Sequence, residues 1–341
     1  MAVKFTKPEI NIREKLSELD KPSGIAGEAM LRAETPQEQF NLIGAGRRNI
    51  LINGDFQVSQ RGDYSSASSL SEAVYFVDRW RTRNSFSMIA TKTHSTRKVT
   101  LNQTSAGIGS IRIDQKVEII DNEQYTDKYM TLSADVKSND SNARIAVYHE
   151  GWDPNNTQHS GSGVWERLTL TFWTGTLVTG NEFSIQIGID GDSSADVSIA
   201  AGAYIEIKNV QLEFGKVATP FEHRSYGEEL ALCKRYFQKF GIGVPGYSNS
   251  SGSAISFAFR FTPEMRAQPT VSINNTTFAF ADTFVSVKNA SSPSISYNGF
   301  TQVSGSEVTG GELQITTGTN TTANNFQQLY SEDAIFFNSE L

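Results

Sequence analysis

The sequence predicts a mainly β protein with four parts, and two observations support this prediction. Between residues 49 and 224, seven short segments alternate apolar with polar residues or are rich in β-branched and aromatic residues. Asp-Gly, Asn-Asp and Gly-Asn pairs separate them, as hairpins require. Of the last 101 residues only 10 are charged, while ten phenylalanines recur, several at alternate positions. The predicted parts are a helical or extended N-terminal docking segment (1–48), a central β-sandwich (49–224), a connecting helix (225–240) and a C-terminal β domain (241–341).

The N-terminal segment carries 15 charged residues in its 48 positions. Its pattern predicts a short helix over residues 10–19, and Thr35 and Glu38 form a capping box that predicts a second one. Neither helix is long enough to be stable alone in water. The segment has no apolar core of its own, so we expect it to dock on a partner.

Composition excludes several classes of function. The formal net charge is −7 and the pI is about 5.3, which gives no global basic field for nucleic acid or an anionic membrane. A single cysteine excludes an intrachain disulfide framework and a cysteine-based zinc site. No apolar run approaches the roughly 20 residues of a membrane helix, so no membrane insertion is expected. The N-terminus lacks the apolar core of a signal peptide, which predicts a protein made in a cytoplasm.

The connecting helix is predicted from a local capping signal. Ser225 and Glu228 form a capping box that starts a helix at about residue 226. Apolar side chains then follow at spacings of three, four and three residues, which predicts a seam of about two heptads. The members of this seam are Leu230, Cys233, Phe237 and Phe240. Two interpretations remain open: the seam packs on an adjacent sheet, or it forms a short multi-chain bundle on the axis of an oligomer.

Three motifs between residues 47 and 240 resemble a module of phage tail fibres and related virion proteins. They are "RRNILINGDFQVSQRG", "YFVDRW" and "VQLEFGKVATPFEHRSYGEELALCKRYF". The N-terminal "AETPQEQFNLIGAGRRN" is similar to the virion-docking segments of marine podophage fibres. "FRFTPEMRAQPTVSI" and the closing "NSEL" look like the terminal domains of such fibres.

The resemblance implies a fold, an assembly and a set of partners. The fold is a jelly roll akin to carbohydrate-binding modules, and the assembly is a homotrimer on the virion surface. Its partners would be other virion proteins, bound through residues 1–48, and host-surface polysaccharide or lipopolysaccharide.

The resemblance also raises the question of a structural calcium ion. Carbohydrate-binding modules of this fold often hold calcium beside a glutamate that follows an aromatic residue of the first strand. Here Gln57 follows Phe56, so one charge is missing. If the first and last strands are neighbours, the oxygen ligands would come from Asn53, Asp55 and Glu213. The alternative is that these three are turn and edge residues, and we expect no cofactor besides this calcium.

A loop rich in glycine and polar residues suggests a sugar site. Aromatic rings stack on the C–H faces of sugars, while polar side chains bind the hydroxyls. The candidate ligand-binding residues are Tyr148, His149, Trp152 and Asp153. We expect Trp165 and Trp173 to fill the sandwich core instead. For the Asp78-Arg79-Trp80 motif we expect a buried Asp–Arg pair that holds a loop.

The expected function is that of a structural virion fibre protein that attaches a phage to host glycans. No catalytic motif is present, and the four histidines are scattered, so no catalytic residues are assigned. Two alternatives stay open: a capsid or tail adaptor or decoration protein without glycan binding, and a fibre that cleaves polysaccharide through clustered carboxylates.

Overall fold

The structure, a computed structural model, describes most of the chain beyond residue 47. The described ranges are 48–85, 90–95, 97–119, 122–148, 156–175, 183–191, 196–240, 244–248, 254–273, 279–281, 287–289, 294–302, 308–316, 326–330 and 335–340. The predicted docking segment therefore lies outside the described residues, apart from residue 48. Among the helices of these ranges, none has the length and apolar character needed to cross a membrane.

The central region is a β-sandwich, as the sequence predicts. In chain order its strands are β1 (Ser68–Ser69), β2 (Val74–Val77), β3 (Trp80–Asn84), β4 (Ala90–Ser95), β5 (Lys98–Gln103), β6 (Gly107–Gly109), β7 (Ile111–Val117), β8 (Tyr129–Ser138), β9 (Ala143–Tyr148), β10 (Asn156–Gln158), β11 (Trp165–Trp173), β12 (Phe183–Ile189), β13 (Val197–Ile199) and β14 (Tyr204–Phe214). Sheet A has the order β1-β4-β5-β14-β8-β11, and sheet B has the order β10-β9-β12-β7-β3-β2. Strands β6 and β13 form a separate pair.

Both sheets contribute alternate residues to one apolar core. The core residues of β7, β12 and β14 are mostly isoleucine, valine and leucine, which suit a half-buried pleated surface. The ring of Trp80 is fully buried 5.1 Å from that of Phe56. At residues 209–210 an irregularity interrupts the pairing of β14 with β8, and Asn209 has a φ of 52°, which asparagine tolerates.

Two helices occur in the described residues, a single turn α1 (Asn122–Tyr125) and the connecting helix α2 (Tyr226–Lys234). The N-terminus of α2 confirms the predicted capping box: the Ser225 hydroxyl accepts from the backbone N–H of Glu228, whose carboxylate accepts from the backbone N–H of Ser225. The prediction that the helix continues to residue 240 is wrong, because α2 ends at Lys234.

The predicted helical seam is therefore split between a helix and a strand. Cys233 is buried in α2 and Leu230 is half-buried there, but Phe237 and Phe240 lie on strand β15 (Phe237–Phe240). Tertiary contacts override the heptad spacing: the Arg61 guanidinium lies 3.9 Å from the centre of the Phe237 ring. The Phe240 ring packs within 6 Å of three other phenylalanines, Phe259, Phe261 and Phe337.

The C-terminal region is also β structure. Its further strands are β16 (Val244–Ser248), β17 (Ala254–Met265), β18 (Thr270–Ile273), β19 (Ala279–Ala281), β20 (Val287–Asn289), β21 (Ser294–Gln302), β22 (Val308–Thr316), β23 (Phe326–Tyr330) and β24 (Ile335–Asn338). They form a seven-stranded sheet, β20-β19-β23-β16-β17-β22-β21, and, with β15, a three-stranded sheet, β15-β24-β18.

The Asp78-Arg79-Trp80 motif turns the β2–β3 hairpin, and each side chain has a separate partner. Asp78 does not pair with Arg79 as predicted; its carboxylate accepts from the backbone and side-chain nitrogens of Gln60. Arg79 is buried, with a left-handed φ of 70°. Its guanidinium donates to the carboxylate of Glu340 and lies 3.6 Å from the centre of the Tyr236 ring.

Glu340 connects the C-terminus to the sandwich through two arginines. Besides the bond from Arg79, its carboxylate accepts from Arg61 Nη2 at 2.9 Å. The side chains of Arg79 and Glu340 are only 2% and 4% exposed. An unpaired buried charge is costly. The Glu340 carboxylate therefore stabilises the fold by neutralising the buried Arg79 guanidinium.

We expect Glu340→Ala to lower the free energy of unfolding by about 3 to 5 kcal/mol, because it leaves the Arg79 guanidinium buried without its carboxylate. Urea unfolding followed by tryptophan fluorescence measures the change. Glu264→Ala, which removes an exposed carboxylate of the same region, is the matched control and should change little. Equal stability of the two variants would contradict the burial of this pair.

Burial raises the pKa of Asp78 from 3.8 to about 6, although the hydrogen bonds from Gln60 oppose the shift. At pH values between 3.8 and about 6, Asp78 is therefore protonated in the folded protein and ionised in the unfolded chain. The resulting stabilisation is complete below pH 3.8 and disappears as the pH rises through 6, a total of about 3 kcal/mol.

We therefore expect Asp78→Asn to become more stable relative to the parent protein as the pH rises from about 4 to about 7. Thermal or urea unfolding of both proteins across this range measures the difference. Parallel pH profiles would show that Asp78 titrates normally in the folded state.

Candidate functional site

The sugar site predicted from the sequence falls mostly outside the described residues. His149, Trp152 and Asp153 all lie there, so their role stays a prediction. Tyr148 is described: it is 39% exposed at the end of β9, a strand of sheet B.

Two of the three predicted calcium ligands are engaged within the chain. The side-chain amide of Asn53 donates to the carbonyls of Val58 and Asp78 at 2.8 and 2.9 Å, and its oxygen accepts from the Val58 N–H. The buried Glu213 carboxylate accepts from the backbone N–H of Thr219 at 2.8 Å and from its hydroxyl at 2.7 Å. These oxygens are therefore already used in holding the fold.

Asp55 has a different environment. It is 2% exposed, neither of its oxygens accepts a hydrogen bond within the described residues, and Arg97 Nη1 lies 3.4 Å away. The Gln57 side-chain oxygen nearby in sequence also lacks a hydrogen bond there. Within the described ranges, no three His, Cys, Asp or Glu side chains are close enough to hold a metal ion. Because Asn53 and Glu213 are engaged within the chain and Asp55 is not, calcium at this set stays a prediction.

The first and last of the three sequence motifs that resemble phage fibres form one buried polar network. Asn49 donates its side-chain amide to the Val210 carbonyl at 3.0 Å and accepts from the Leu212 N–H at 3.1 Å. Arg224 donates to the carbonyl of Leu51 at 2.9 Å and also to that of Asn49. The first motif and the last are thus hydrogen-bonded to each other, which gives these residues a structural role.

Glu229 extends this network to helix α2. Its carboxylate accepts from the backbone N–H of Asn53 at 2.5 Å and lies 3.3 Å from the Arg224 guanidinium. Burial raises the pKa of Glu229, while the Asn53 N–H and the Arg224 charge favour its ionised form. The helix is therefore held on the turn that precedes the sandwich.

The outer face of sheet A presents exposed aromatic rings. The prediction that Trp165 and Trp173 fill the core is wrong: they are 39% and 46% exposed. Leu168, Leu170 and Phe172 take the inward positions of β11, and strand alternation then places both tryptophans on the outer face. The alternation of Leu168, Leu170 and Phe172 can be read from the sequence, and it predicts that the two tryptophans face outward.

We call this surface the aromatic strip and define it by the outward residues of three adjacent strands. Tyr129, Asp135 and Lys137 come from β8, where Ser133 is buried beneath them; Trp165, Arg167, Thr169, Thr171 and Trp173 come from β11; and Glu206 and Lys208 come from β14. Lys216, just after β14, borders it. Strand β11 is the edge of sheet A, and the Thr157 hydroxyl of β10 donates to its Thr169 carbonyl at 2.8 Å. Eight residue steps of about 3.3 Å separate Trp165 from Trp173, or about 26 Å.

Each end of the strip has an aromatic ring with a lysine over it. At one end Lys208 Nζ lies 4.2 Å from the centre of the Trp165 ring. At the other, the Trp173 and Tyr129 rings are 4.7 Å apart in an edge-to-face arrangement, and Lys216 Nζ lies 4.3 Å from the centre of the Tyr129 ring.

The middle of the strip is polar and fixed by hydrogen bonds. Arg167 donates to the Asp135 carboxylate at 3.1 Å and to the Ser133 hydroxyl at 2.8 Å, and Asn209 donates to the other Asp135 oxygen at 2.7 Å. Thr169 is exposed beside them. A rigid floor with polar groups between two aromatic ends suits a ligand that is apolar on its faces and polar at its rim.

The loop before β11 fixes the position of Trp165. Gly163 donates its N–H to the Ser138 carbonyl at 2.8 Å, and its φ of 75° favours glycine. The Ser160 backbone and the Ser162 hydroxyl both donate to Glu166, at 3.1 and 3.0 Å. The Ser160 hydroxyl also donates to Glu166, and these hydrogen bonds lower the pKa of that carboxyl. The tryptophan therefore begins its strand from an ordered loop.

Comparison with known proteins gives weak structural similarities. No protein-family model matches the chain, and the search of curated proteins found no match. A putative sugar-binding protein from Bacteroides thetaiotaomicron is 11% identical and has a TM-score of 0.31. The alignment covers 49% of this chain and 100% of that protein. The family 11 carbohydrate-binding module of a Clostridium thermocellum cellulase is 14% identical and has a TM-score of 0.29. The alignment covers 47% of this chain and 99% of that module. TM-scores of this size carry no argument about function.

Proposed function

We propose that this protein is a non-enzymatic fibre component of a bacteriophage virion that binds host-surface glycans through the aromatic strip. The exposure of Trp165 and Trp173 on one sheet face is the observation that carries the proposal. Aromatic rings exposed on one sheet face supply the stacking surfaces that a sugar site needs.

The strip has the groups that glycan recognition requires. Indole and phenol rings pack against the C–H faces of sugar rings, which bury apolar surface without needing deep enclosure. The Thr169 and Thr171 hydroxyls and the Arg167 guanidinium lie between the rings, where sugar hydroxyls would need partners.

The carboxylates of the strip are unsuited to hydrolysis of the ligand. Glycosidases use two carboxyl groups, one of which donates a proton while the other stabilises or attacks. Here Glu206 is ion-paired with Lys98 at 2.6 Å, and Asp135 with Arg167 at 3.1 Å. Both carboxylates are therefore held in ion pairs within the sheet. The proposal is accordingly one of binding without cleavage.

The fibre role is supported by the sequence motifs of residues 47–240. In this proposal residues 1–48 dock on other virion proteins, three chains assemble into one fibre, and the β domains project from the virion. A weak glycan site repeated three times on a rigid body gains strength from effective concentration. A shallow strip is sufficient for attachment under these conditions.

We expect Trp165→Ala and Trp173→Ala each to weaken binding to host-surface polysaccharide about tenfold, since a stacked ring contributes about 1 to 1.5 kcal/mol. Affinity electrophoresis or calorimetry on the intact protein measures the loss. Tyr226→Ala removes an exposed ring of α2 and should leave binding unchanged. Unchanged binding in both tryptophan variants, with the fold intact by circular dichroism, would refute the strip as the glycan site.

The assembly is tested separately by the solution mass. Multi-angle light scattering of the intact protein should give about three times the chain mass of 37.5 kDa. A mass of one chain would contradict the trimeric fibre and leave the glycan-binding proposal to stand on the strip alone.

A further inference from the structure

We infer that the ligand of the aromatic strip is an acidic glycan, one that carries carboxylate or other anionic groups on its sugar rings. This inference rests on the proposed function and names the ligand class of the same site. It comes from the two lysines that lie over the rings at the ends of the strip.

Lys208 and Lys216 differ from the other cations of this face. Lys98 and Lys137 lie 2.6 and 3.6 Å from the Glu206 carboxylate, and Arg167 is paired with Asp135. By contrast, Lys208 and Lys216 have no carboxylate partner among the described residues; each ammonium lies over an aromatic ring instead.

The face is therefore locally cationic although the chain is acidic. Among the described residues of the strip, four cations, Lys137, Arg167, Lys208 and Lys216, share the surface with the two accessible carboxylates of Asp135 and Glu206. The third carboxylate, that of Glu213, is buried beneath Thr219. The formal net charge of the whole chain is −7, so this local excess is not a consequence of composition.

The position of each lysine gives a mechanism for selecting an acidic sugar. A sugar that stacks on Trp165 or Tyr129 must displace the ammonium group from the ring face. An acidic sugar offers that ammonium a carboxylate at the rim of the same ring, so the displaced charge gains a new partner. A neutral sugar offers only hydroxyls. The lysines therefore favour acidic over neutral ligands at both ends of the strip.

Three probes separate sugar stacking from simple charge attraction. Polygalacturonate supplies a uronate on every ring, the same polymer with its carboxyl groups reduced supplies a neutral sugar, and polyglutamate supplies anionic charge without sugar. We expect the intact protein to bind polygalacturonate more tightly than the reduced polymer or polyglutamate. We also expect this affinity to fall as salt concentration rises, because exposed ion pairs are screened.

The lysines are tested with a double variant and a charge-matched control. Lys208→Gln with Lys216→Gln should weaken polygalacturonate binding about five- to tenfold, as expected for two exposed ion pairs. It should not weaken binding of the reduced polymer, because no ammonium group then has to be displaced from the rings. Lys116→Gln with Arg260→Gln removes the same charge from sheet B and from β17, and should bind as the parent does.

The outcomes distinguish this inference from the function on which it rests. If polygalacturonate and the reduced polymer bind equally well, the inference of an acidic ligand is wrong. If Trp165→Ala then weakens binding of both polymers, the proposed glycan site is still supported. Equal binding of polyglutamate and polygalacturonate also overturns the inference, because it would show general attraction of polyanions. Binding of none of the three overturns both proposals.

Discussion

The buried guanidinium of Arg224 is the contact on which the arrangement of the sandwich depends. It donates to the carbonyls of Asn49 and Leu51 and lies 3.3 Å from the carboxylate of Glu229, and both charged side chains are less than a tenth exposed. A buried charge is tolerated only when it is paired and hydrogen-bonded, so these partners constrain one another. The network joins the start of the sandwich, the segment after β14 and helix α2. Since β14 lies between β5 and β8, it also holds the sheet that carries the aromatic strip.

A second set of polar contacts connects the sandwich to the C-terminal region. Glu118 accepts from the Tyr236 hydroxyl at 2.5 Å, and the penultimate residue, Glu340, is bound by Arg61 and Arg79. Helix α2 and the C-terminus are thereby fixed on the same side of the sandwich. The strip on sheet A depends little on side-chain motion in its middle part, because hydrogen bonds already hold Arg167 and Asp135. A preorganised surface binds a ligand with a smaller loss of conformational entropy.

The sequence predicted the features that local patterns determine. The sandwich strands follow from alternation and turn residues, and the capping box at Ser225 follows from a four-residue motif. The extent of α2 was not predictable, because Phe237 and Phe240 acquire strand structure from contacts with distant residues. The pairing of Arg79 with Glu340 spans 261 residues, and no local signal indicates it. The two tryptophans of β11 were predicted to lie in the core because they are hydrophobic. The alternation of side chains along a strand decides instead which residues face outward.

Acrylamide quenching of tryptophan fluorescence tests most directly the proposal that the aromatic strip binds a glycan. Trp80 is fully buried, Trp165 and Trp173 are exposed on the strip, and Trp152 belongs to the site predicted from the sequence. Saturating polygalacturonate should reduce quenching in the Trp152→Phe protein, where both strip indoles remain, and leave it unchanged in a protein with Trp165→Phe and Trp173→Phe. The opposite pattern, protection that depends on Trp152 and survives loss of both strip tryptophans, would contradict the account.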